Sequence, residues 1–365
     1  MAEALTWRGH VVDVVTYPLG DETQPIAYKI HRVAGHCKRL NPEPGPSLVK
    51  FLYLDPLLCA RIRKLLIADT FDVIHAHHYE GLIASLIARR LSRRIPVIYD
   101  AHTLLQSELP HYRVGLPHAL KTSLGRTLDR RLPARADYVI AVADGMRQWF
   151  TVTAAIPPDR ISVIENGVEI EHFGDQVRAD FKRTSGPHIV FAGNLAEYQG
   201  VDLLLRAFLR VRNIFNDARL SLLTDSALGD VGSKINKMGI SDSVSFLDPD
   251  YASLPAKLAT ADVLVNPRID CDGIPQKLLN YMATGRPIVS FRSSAVLLEH
   301  ERNALIVADG DTDGFADAIL RLIREPEFAQ SLGSAAQSKV ISGYSWQKVA
   351  ARVESVYERV VGMSA

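Results

Sequence analysis

The turn that decides the fold reads FAGNLAEYQGVDLL and runs from Phe191 to Leu204. An apolar run ends at Gly193, a short polar loop follows, and Gly200 precedes apolar residues at helical spacing. Glycine lets a backbone come close to a phosphate, and the first turn of a helix offers unpaired N–H groups and a positive dipole end. The stretch is therefore typical of an anion-binding strand–loop–helix turn, although an ordinary βα turn has the same spacing.

A second turn of this kind, over residues 270–287, reads DCDGIPQKLLNYMATGRP. Its Gly273 follows a predicted strand, Pro275 suits the first turn of a helix, and Gly285 is placed to end that helix. The start of this helix is again an anion site. We expect Asn280, further along the helix, to hydrogen-bond a ribose.

Apolar runs and helical patterns alternate on both sides of these turns. Strands are predicted at 11–16, 73–75, 96–99, 138–142, 161–164, 189–192, 219–223, 243–247, 263–266, 287–290 and 304–307. Helical patterns fill most of the intervals between them. This alternation implies parallel strands joined by crossover helices, and therefore an α/β protein built from two doubly wound, Rossmann-like halves.

A polar stretch near residue 180 separates the two halves. The pattern predicts an N-terminal domain over 1–180, a C-terminal domain over 181–343, and a last helix over 344–365 that crosses back to the first domain. The first half opens with a helix-like segment at 2–7, where a doubly wound domain has its central strand and glycine-rich turn. We therefore expect the first domain to lack its first strand, through a mis-set start or a truncation.

Composition limits the function further. The chain has 365 residues, of which 47% are hydrophobic and 23% charged, as in folded two-domain proteins. A net charge of +1 argues against a nucleic-acid binder held by phosphate contacts. Three scattered cysteines, Cys37, Cys59 and Cys271, fit neither a disulfide framework nor a zinc site. Because no signal core or membrane-length apolar stretch is found, we expect a soluble cytoplasmic protein that touches a membrane at most from its inner face.

Several motifs occur in a fixed order: DVIHAHH at 72–78, YDAHT at 99–103, ENGV at 165–168, the two glycine turns, and MATGRP within the second. In order and spacing they resemble the retaining glycosyltransferases of family 4 (glycosyl transferases group 1), which have the GT-B fold. The resemblance implies a nucleotide-sugar donor bound mainly by the C-terminal half and a glycan or lipid-linked acceptor bound mainly by the N-terminal half. It further implies transfer across the cleft with retention of configuration, without a metal or other cofactor.

The resemblance also implies roles for individual residues. His102 corresponds to a catalytic-site histidine that contacts the donor sugar. The glycine loop would face the diphosphate, the start of the second helix would face a phosphate, and Asn280 would lie near the ribose. The implied donor-binding set is Gly193, Asn194, Gln199, Gly200, Gly273, Ile274, Pro275 and Asn280.

Departures from the family pattern raise an alternative function. Asn194 and Gln199 replace the Arg and Lys of the family's glycine loop, which forfeits two charge-assisted phosphate bonds of about 1.5–3 kcal/mol each. The family's paired glutamates fall at positions 272 and 280, which are not glutamates, and Lys277 and Arg286 are the nearest basic residues in sequence. The alternative is a catalytically impaired or truncated relative that acts as a binding or partner protein. A sugar-nucleotide epimerase and a Rossmann dehydrogenase fit less well, because we identify neither the required water-directing residues nor a Gly-x-Gly-x-x-Gly turn.

Four polar residues, His75, His77, His78 and Glu80, crowd the end of a predicted strand in the first half. Imidazoles suit proton transfer and hydrogen bonding to sugar hydroxyls, so we predict acceptor-side contacts there. A metal site and partly exposed loop histidines are alternatives, but no carboxylate pair is spaced to complete a metal site. The Asp-x-Asp triplets at 248–250 and 270–272 fit turns better than metal ligands.

A predicted helix over 119–132 carries leucines at 120, 124, 128 and 132, with basic residues on its other side. Such a helix suits contact with an anionic membrane or a lipid-phosphate acceptor. The interpretation we prefer is a leucine stripe that faces the core, with solvated basic residues outside.

Overall fold

The computed structural model describes residues 1–18, 26–33, 50–90, 95–111, 117–174, 186–269, 271 and 273–364. The chain divides into two compact units. Unit 1 consists of Met1–Glu165 and Trp346–Ala365, and unit 2 consists of Asn166–Ser345. The predicted domain boundary at 180 falls in 175–185, outside the described residues.

Unit 1 alternates strands and helices as the sequence pattern predicts. A short π-helix (Lys50–Leu54) leads into its second α-helix. In chain order, its elements before the chain enters unit 2 are α1 (Ala2–Trp7), β1 (Asp13–Thr16), β2 (Lys29–Arg32), α2 (Asp55–Ala68), β3 (Ile74–His77), α3 (His78–Arg90), β4 (Val97–Ala101), α4 (Leu105–Glu108), α5 (His118–Arg131), β5 (Tyr138–Ala141), α6 (Asp144–Val152) and β6 (Ile161–Val163).

The strands of unit 1 form two separate parallel sheets. One contains four strands in the order β3-β4-β5-β6, and the other contains β1 and β2 alone. Within the described residues no strand joins the two sheets. The two central strands of the four-stranded sheet, β4 and β5, are buried along their whole length.

Unit 2 is a complete doubly wound domain. Its elements are α7 (Ile170–Gly174), β7 (His188–Ala192), α8 (Val201–Ile214), β8 (Arg219–Leu223), α9 (Gly229–Lys237), β9 (Val244–Leu247), α10 (Leu254–Ala259), β10 (Val263–Asn266), α11 (Gln276–Thr284), β11 (Ile288–Phe291), β12 (Leu305–Val307), α12 (Thr312–Arg324) and α13 (Pro326–Gly343). All six of its sheet strands, β7 to β12, run parallel in the order β12-β11-β10-β7-β8-β9. The strand order therefore reverses between β7 and β10, which is where ligands bind in sheets of this kind.

The last helix, α14 (Trp346–Ser364), returns to unit 1. Its apolar face packs against α1 and against strand residues of β4 and β5, in one buried cluster. At the surface, Glu354 of this helix accepts hydrogen bonds from Arg8 and His10. The residues of α14 that are buried in this cluster are Val349, Ala350, Val353, Val356 and Val360.

Some elements escape sequence-based prediction. The pattern does not indicate β2, whose four residues, KIHR, include two cations and pair with one neighbouring strand only. It also does not indicate α9, which contains two glycines and buries only Val231 and Ile235. No helix within the described ranges combines the length and the apolar character that crossing a bilayer requires.

Candidate functional site

The glycine loop of unit 2 lies at the point where the strand order reverses. β7 ends at Ala192, and the amide of Gly193 donates to the carbonyl of Leu223 at the end of β8 (3.0 Å). Gly200 has φ of 69° and lies directly on the neighbouring strand end, because a Cβ there would come within 2.0 Å of the Pro267 carbonyl oxygen. Only glycine fits such a close approach in this left-handed conformation. The loop is therefore held across the carboxyl ends of β7 and β10, as an anion-binding turn requires.

Side chains of the loop brace its own backbone. The amide oxygen of Asn194 accepts from the backbone of Ala196 (3.1 Å), and its nitrogen donates to the hydroxyl of Tyr198 (3.0 Å). The amide of Leu195 donates to Ser226 Oγ, which lies beyond the end of β8 (3.2 Å). Asn194, which the sequence analysis placed against the diphosphate, is thus already committed to internal hydrogen bonds of the loop.

A cation from another element reaches the loop. Lys277, one residue into α11, donates from Nζ to Gln199 Oε1 (2.7 Å) and lies 4.4 Å from the ring centroid of Phe191. The same ammonium would be 3.6 Å from a Cβ on Gly193. Burial, and then the nearby charge of Arg268, lowers the pKa of Lys277 to about 7. The guanidinium of Arg268 lies 4.9 Å from the ring centroid of Tyr198, so it also belongs to this loop.

The second glycine turn begins α11. Pro275 is the residue before the first helical residue, and Gly285 ends the helix in the left-handed conformation with φ of 69°. Ile274 is buried in the core of unit 2, and the carbonyl of Gly273 accepts from the Cys271 thiol (2.9 Å). Asn280 lies three residues beyond the loop-facing lysine and therefore on the same side of α11. Positions 270 and 272, and with them the Asp-x-Asp triplet at 270–272, lie outside the described residues.

Arg286, the other basic residue singled out from the sequence, does not lie at this loop. Its charge interacts with Asp262, which precedes β10 and therefore lies at the amino end of that strand. The Asp-x-Asp triplet at 248–250 precedes a turn over 251–253, where Asp250 accepts from the amide of Ser253 (3.1 Å) and from its hydroxyl (2.8 Å).

In unit 1, a histidine cluster gathers at the carboxyl ends of β3 and β4. The parallel register pairs His77 with Asp100, and three imidazoles converge on one oxygen of that carboxylate. The distances to Asp100 Oδ2 are 3.1 Å from His75 Nε2, 3.3 Å from His77 Nδ1 and 3.6 Å from His102 Nε2. His77 Nδ1 and His102 Nε2 are themselves 3.0 Å apart. The last residue of the set, His78, has φ of 57° and places its ring 4.7 Å from that of His102.

Hydrogen bonding organises this cluster around a charged Asp100. Burial alone would raise the pKa of this carboxyl, but the hydrogen bond from His75 and the neighbouring imidazoles hold it well below its usual range. His75 Nδ1 is also hydrogen-bonded to the hydroxyl of Tyr357 on α14 (2.7 Å), which fits a His75 tautomer with its proton on Nε2. The second oxygen of Asp100, Oδ1, is buried and has no hydrogen-bond partner among the described residues.

Three members of the cluster also have the spacing of metal ligands, which the sequence did not lead us to expect. Ligand atoms of His75, His77 and Asp100 lie within 4.8 Å of one another. The rings of His75 and His77, however, are stacked at 4.7 Å with planes only 15° apart, whereas a coordinated metal lies near the plane of each imidazole that binds it. Glu80, in the first turn of α3, lies close enough to Asp55 for its charge to add to the effect of burial in raising the pKa of that carboxyl.

The preferred interpretation of the leucine stripe is wrong for half of α5. Leu120 is 51% exposed and Leu124 is 41% exposed, whereas Leu128 and Leu132 pack against the core of unit 1. The buried face of α5 instead contains Asp129, whose side chain is 0% exposed. This carboxylate accepts from the Tyr79 hydroxyl and from the first backbone amides of α4, at 3.0 Å and 2.9 Å. Because these bonds fix the rotation of the helix, its first two leucines face solvent beside the basic residues.

Sequence reasoning missed three groups at these sites. Asp100 attracts attention in the sequence only as part of a motif, although it lies on β4 two residues before His102, beside His75 and His77 on β3, which could have revealed a shared site. Arg268 and Tyr357 carry no local signal, since each reaches its site from a distant part of the chain.

Two units of parallel strands, the second with a glycine-built anion turn at its switch point, define the GT-B class of α/β proteins. Sequence comparison agrees: residues 1–172 match Glycosyltransferase Family 4 and residues 186–325 match Glycosyl transferases group 1. Phosphatidyl-myo-inositol mannosyltransferase of Mycobacterium leprae is 27% identical, over 99% of this chain and 91% of that protein. D-inositol 3-phosphate glycosyltransferase of Frankia alni is 26% identical, over 95% and 88%.

Solved structures share the fold. Sucrose-phosphate synthase from Thermosynechococcus elongatus matches with a TM-score of 0.81 at 17% identity, over 99% of this chain and 92% of its own. HepE of Anabaena, in complex with UDP and glucose, matches with a TM-score of 0.70 at 18% identity, over 91% and 86%. The chain belongs to glycosyltransferase family 4 and has the GT-B fold.

Proposed function

We propose that this glycosyltransferase moves a hexosyl-type sugar from a nucleotide-diphosphate donor to a glycan or lipid-linked acceptor, with retention of configuration. The observation that carries the proposal is the glycine loop at the switch point of unit 2. Its path is fixed by the close approach of Gly200 to Pro267, and the ammonium of Lys277 would lie 3.6 Å from a Cβ on Gly193. A diphosphate leaving group gains negative charge as the glycosidic bond breaks, and amides that are already in place stabilise that charge without reorganising.

The donor contacts of this proposal come from the glycine loop and from α11. The loop from Gly193 to Gly200 faces the diphosphate, and Gly273 and Pro275 place the first turn of α11 beside it. Asn280 hydrogen-bonds the ribose. UDP is named in the structure of HepE, which supports a nucleoside diphosphate as the common element of the donor.

In unit 1, His102 hydrogen-bonds the transferred sugar. The carboxylate of Asp100 orients His77, and His77 Nδ1 lies 3.0 Å from His102 Nε2. With the proton on His77 Nδ1, Nε2 of His102 is the acceptor, and neutral His102 carries its own proton on Nδ1, from which it donates to a sugar hydroxyl. Asp100 itself is buried and engaged by imidazoles, which makes it a poor covalent nucleophile. Retention is therefore ascribed to attack on the face from which the diphosphate leaves.

The acceptor contacts are assigned to His75, His77, His78 and Glu80, and no metal is required. A lipid-linked acceptor is supported by relatives whose names specify phosphatidyl-myo-inositol. The exposed leucines and neighbouring cations of α5 give unit 1 a surface suited to an anionic bilayer, so we propose that the enzyme works in the cytoplasm at the inner face of the membrane. We propose that the enzyme takes part in polysaccharide or glycolipid assembly.

A panel of UDP-, GDP-, ADP- and dTDP-sugars, each with phosphatidylinositol or polyprenyl phosphate in vesicles, tests the proposal by release of nucleoside diphosphate. We expect one donor to turn over, and the anomeric proton coupling of donor and product to match. His102→Ala should lower kcat by at least about 100-fold. A matched His300→Gln variant should retain activity, because His300 belongs to unit 2 and hydrogen-bonds the backbone of Ile306 rather than a member of the histidine cluster. Equal rates for His102→Ala and the wild type would remove His102 from the mechanism.

A further inference from the structure

We infer that Lys277 of α11 is the cation that binds the donor diphosphate, and that Gln199 holds its ammonium at the glycine loop in the absence of donor. The inference rests on the proposed function and adds to it the residue that carries the charge. It concerns unit 2 alone.

The loop itself offers no positive charge. Residues 193–200 read GNLAEYQG, with Glu197 as the single charged side chain. Both polar atoms of the Asn194 side chain are engaged within the loop, with Ala196 and Tyr198. A diphosphate bound there by backbone amides alone would face only neutral partners and one carboxylate. Charge-assisted hydrogen bonds are roughly twice as strong as neutral ones, so a cation from elsewhere has a large effect on affinity.

Lys277 is placed to supply that cation. Its Nζ is 2.7 Å from Gln199 Oε1 and would be 3.6 Å from a Cβ on Gly193, at the two ends of the loop. It extends from the first turn of α11, so its ammonium and the free amides of that turn converge on the same side of the switch point. The side chain is held by the neutral amide of Gln199 and by the face of Phe191, and no carboxylate of the described residues forms an ion pair with it.

The surroundings of Lys277 favour exchange of Gln199 for an anion. The ammonium is half-buried, and the neighbouring Arg268 guanidinium repels it. An incoming diphosphate interacts favourably with both cations, while the Gln199 amide that it displaces can turn its nitrogen toward a phosphate oxygen. Arg268 adds positive charge near the loop, but its guanidinium stacks on the ring of Tyr198. The Lys277 ammonium is the cation that lies beside Gly193.

Binding of UDP, GDP, ADP, CDP and dTDP by isothermal titration calorimetry tests the inference. We expect Lys277→Met to weaken the preferred nucleoside diphosphate by about 10- to 100-fold and to reduce the dependence of affinity on salt. Lys277→Arg should recover most of the loss, and Lys237→Met, which removes an exposed lysine of α9 in the same unit, should bind like the wild type. The unliganded melting temperature of Lys277→Met should not fall, because the change removes a half-buried charge.

The outcomes separate the two proposals. If the wild type binds one of the nucleotides and Lys277→Met binds it equally well, the inference is wrong while the proposed function stands. If Gln199→Leu and Lys277→Met lose the same affinity with an unchanged salt dependence, Lys277 is only a support for Gln199 and the inference is again wrong. If the wild type binds none of the five nucleotides, the proposed function fails and the inference fails with it.

Discussion

Donor affinity should depend on pH through Lys277. Burial and the nearby Arg268 lower the pKa of this lysine to about 7 in the free protein, so its ammonium is charged below that pH and neutral above it. A bound diphosphate favours the charged form and raises the pKa again, toward the ordinary lysine value of about 10.4. Binding above pH 7 must therefore take up a proton.

The size of the effect follows from the free-state pKa. At pH 6 about nine in ten molecules already carry the proton, and at pH 8 only about one in ten does. We therefore expect proton uptake of about 0.1 per donor bound at pH 6 and about 0.9 at pH 8. The dissociation constant should be almost constant below pH 6 and should rise about tenfold between pH 6 and pH 8.

Calorimetry in buffers of different ionisation enthalpy measures this uptake directly. An intact nucleotide-sugar is the right ligand, since its diphosphate has no terminal phosphate group that titrates near neutrality. Lys277→Arg provides the matched control, because arginine keeps its charge throughout this range and its affinity should not change with pH.

The reasoning is refuted if the wild type takes up fewer than about 0.2 protons at pH 8. It is equally refuted if Lys277→Arg shows the same proton uptake as the wild type, because the titrating group would then lie elsewhere. Either result would mean that the diphosphate does not meet this ammonium.

Three further predictions concern single residues. Gly200→Ala should destabilise unit 2 by at least about 3 kcal/mol in urea unfolding, because the added methyl meets the carbonyl of Pro267. The control Gly239→Ala has a similar φ of 67° but open space around it, so it should cost only about 1 kcal/mol. Equal losses in the two variants would contradict the close approach. Asp129→Ala should lower the stability of unit 1 by at least about 3 kcal/mol, because it leaves the Tyr79 hydroxyl and two backbone amides without their acceptor. A loss of stability below about 1 kcal/mol would contradict this. Gln199→Glu should weaken nucleotide binding more than Gln199→Leu in the same calorimetric assay, because the new carboxylate competes with the diphosphate for the ammonium; equal affinities would argue against that competition.

The elements that sequence predicts best are those whose signal is local. β4 and β5 are buried along their whole length, so their continuous apolar runs mark them as interior strands of a parallel sheet. The helix of the second glycine turn is bounded by Pro275 and Gly285, whose backbone preferences act within a few residues. Periodicity, proline and glycine therefore suffice to predict most of the alternation and the position of the loop.

Features that depend on distant contacts are beyond such a prediction. The rotation of α5 is decided by hydrogen bonds from Asp129 to α4 and to Tyr79, which outweigh the periodic leucines and leave two of them exposed. Lys277 and Gln199 are 78 positions apart in the sequence. They meet only once α11 is fixed beside β7, where the Ala192 amide donates a hydrogen bond to the Tyr281 hydroxyl. From sequence alone, the neutral residues Asn194 and Gln199 therefore indicate a loss of positive charge at the loop. The folded unit nevertheless places the cation of Lys277 beside them.

The return of α14 to unit 1 has a consequence for biosynthesis. Unit 2 is one continuous stretch, so all of it has been translated before the 19 residues of α14 leave the ribosome. Unit 1 begins before unit 2 yet is completed after it, since the valines of α14 cover apolar residues of β4 and β5 that the nascent chain leaves exposed until α14 has been made. His75 acquires the hydroxyl of Tyr357 in the same step. The histidine cluster is therefore completed only after unit 2 has been translated.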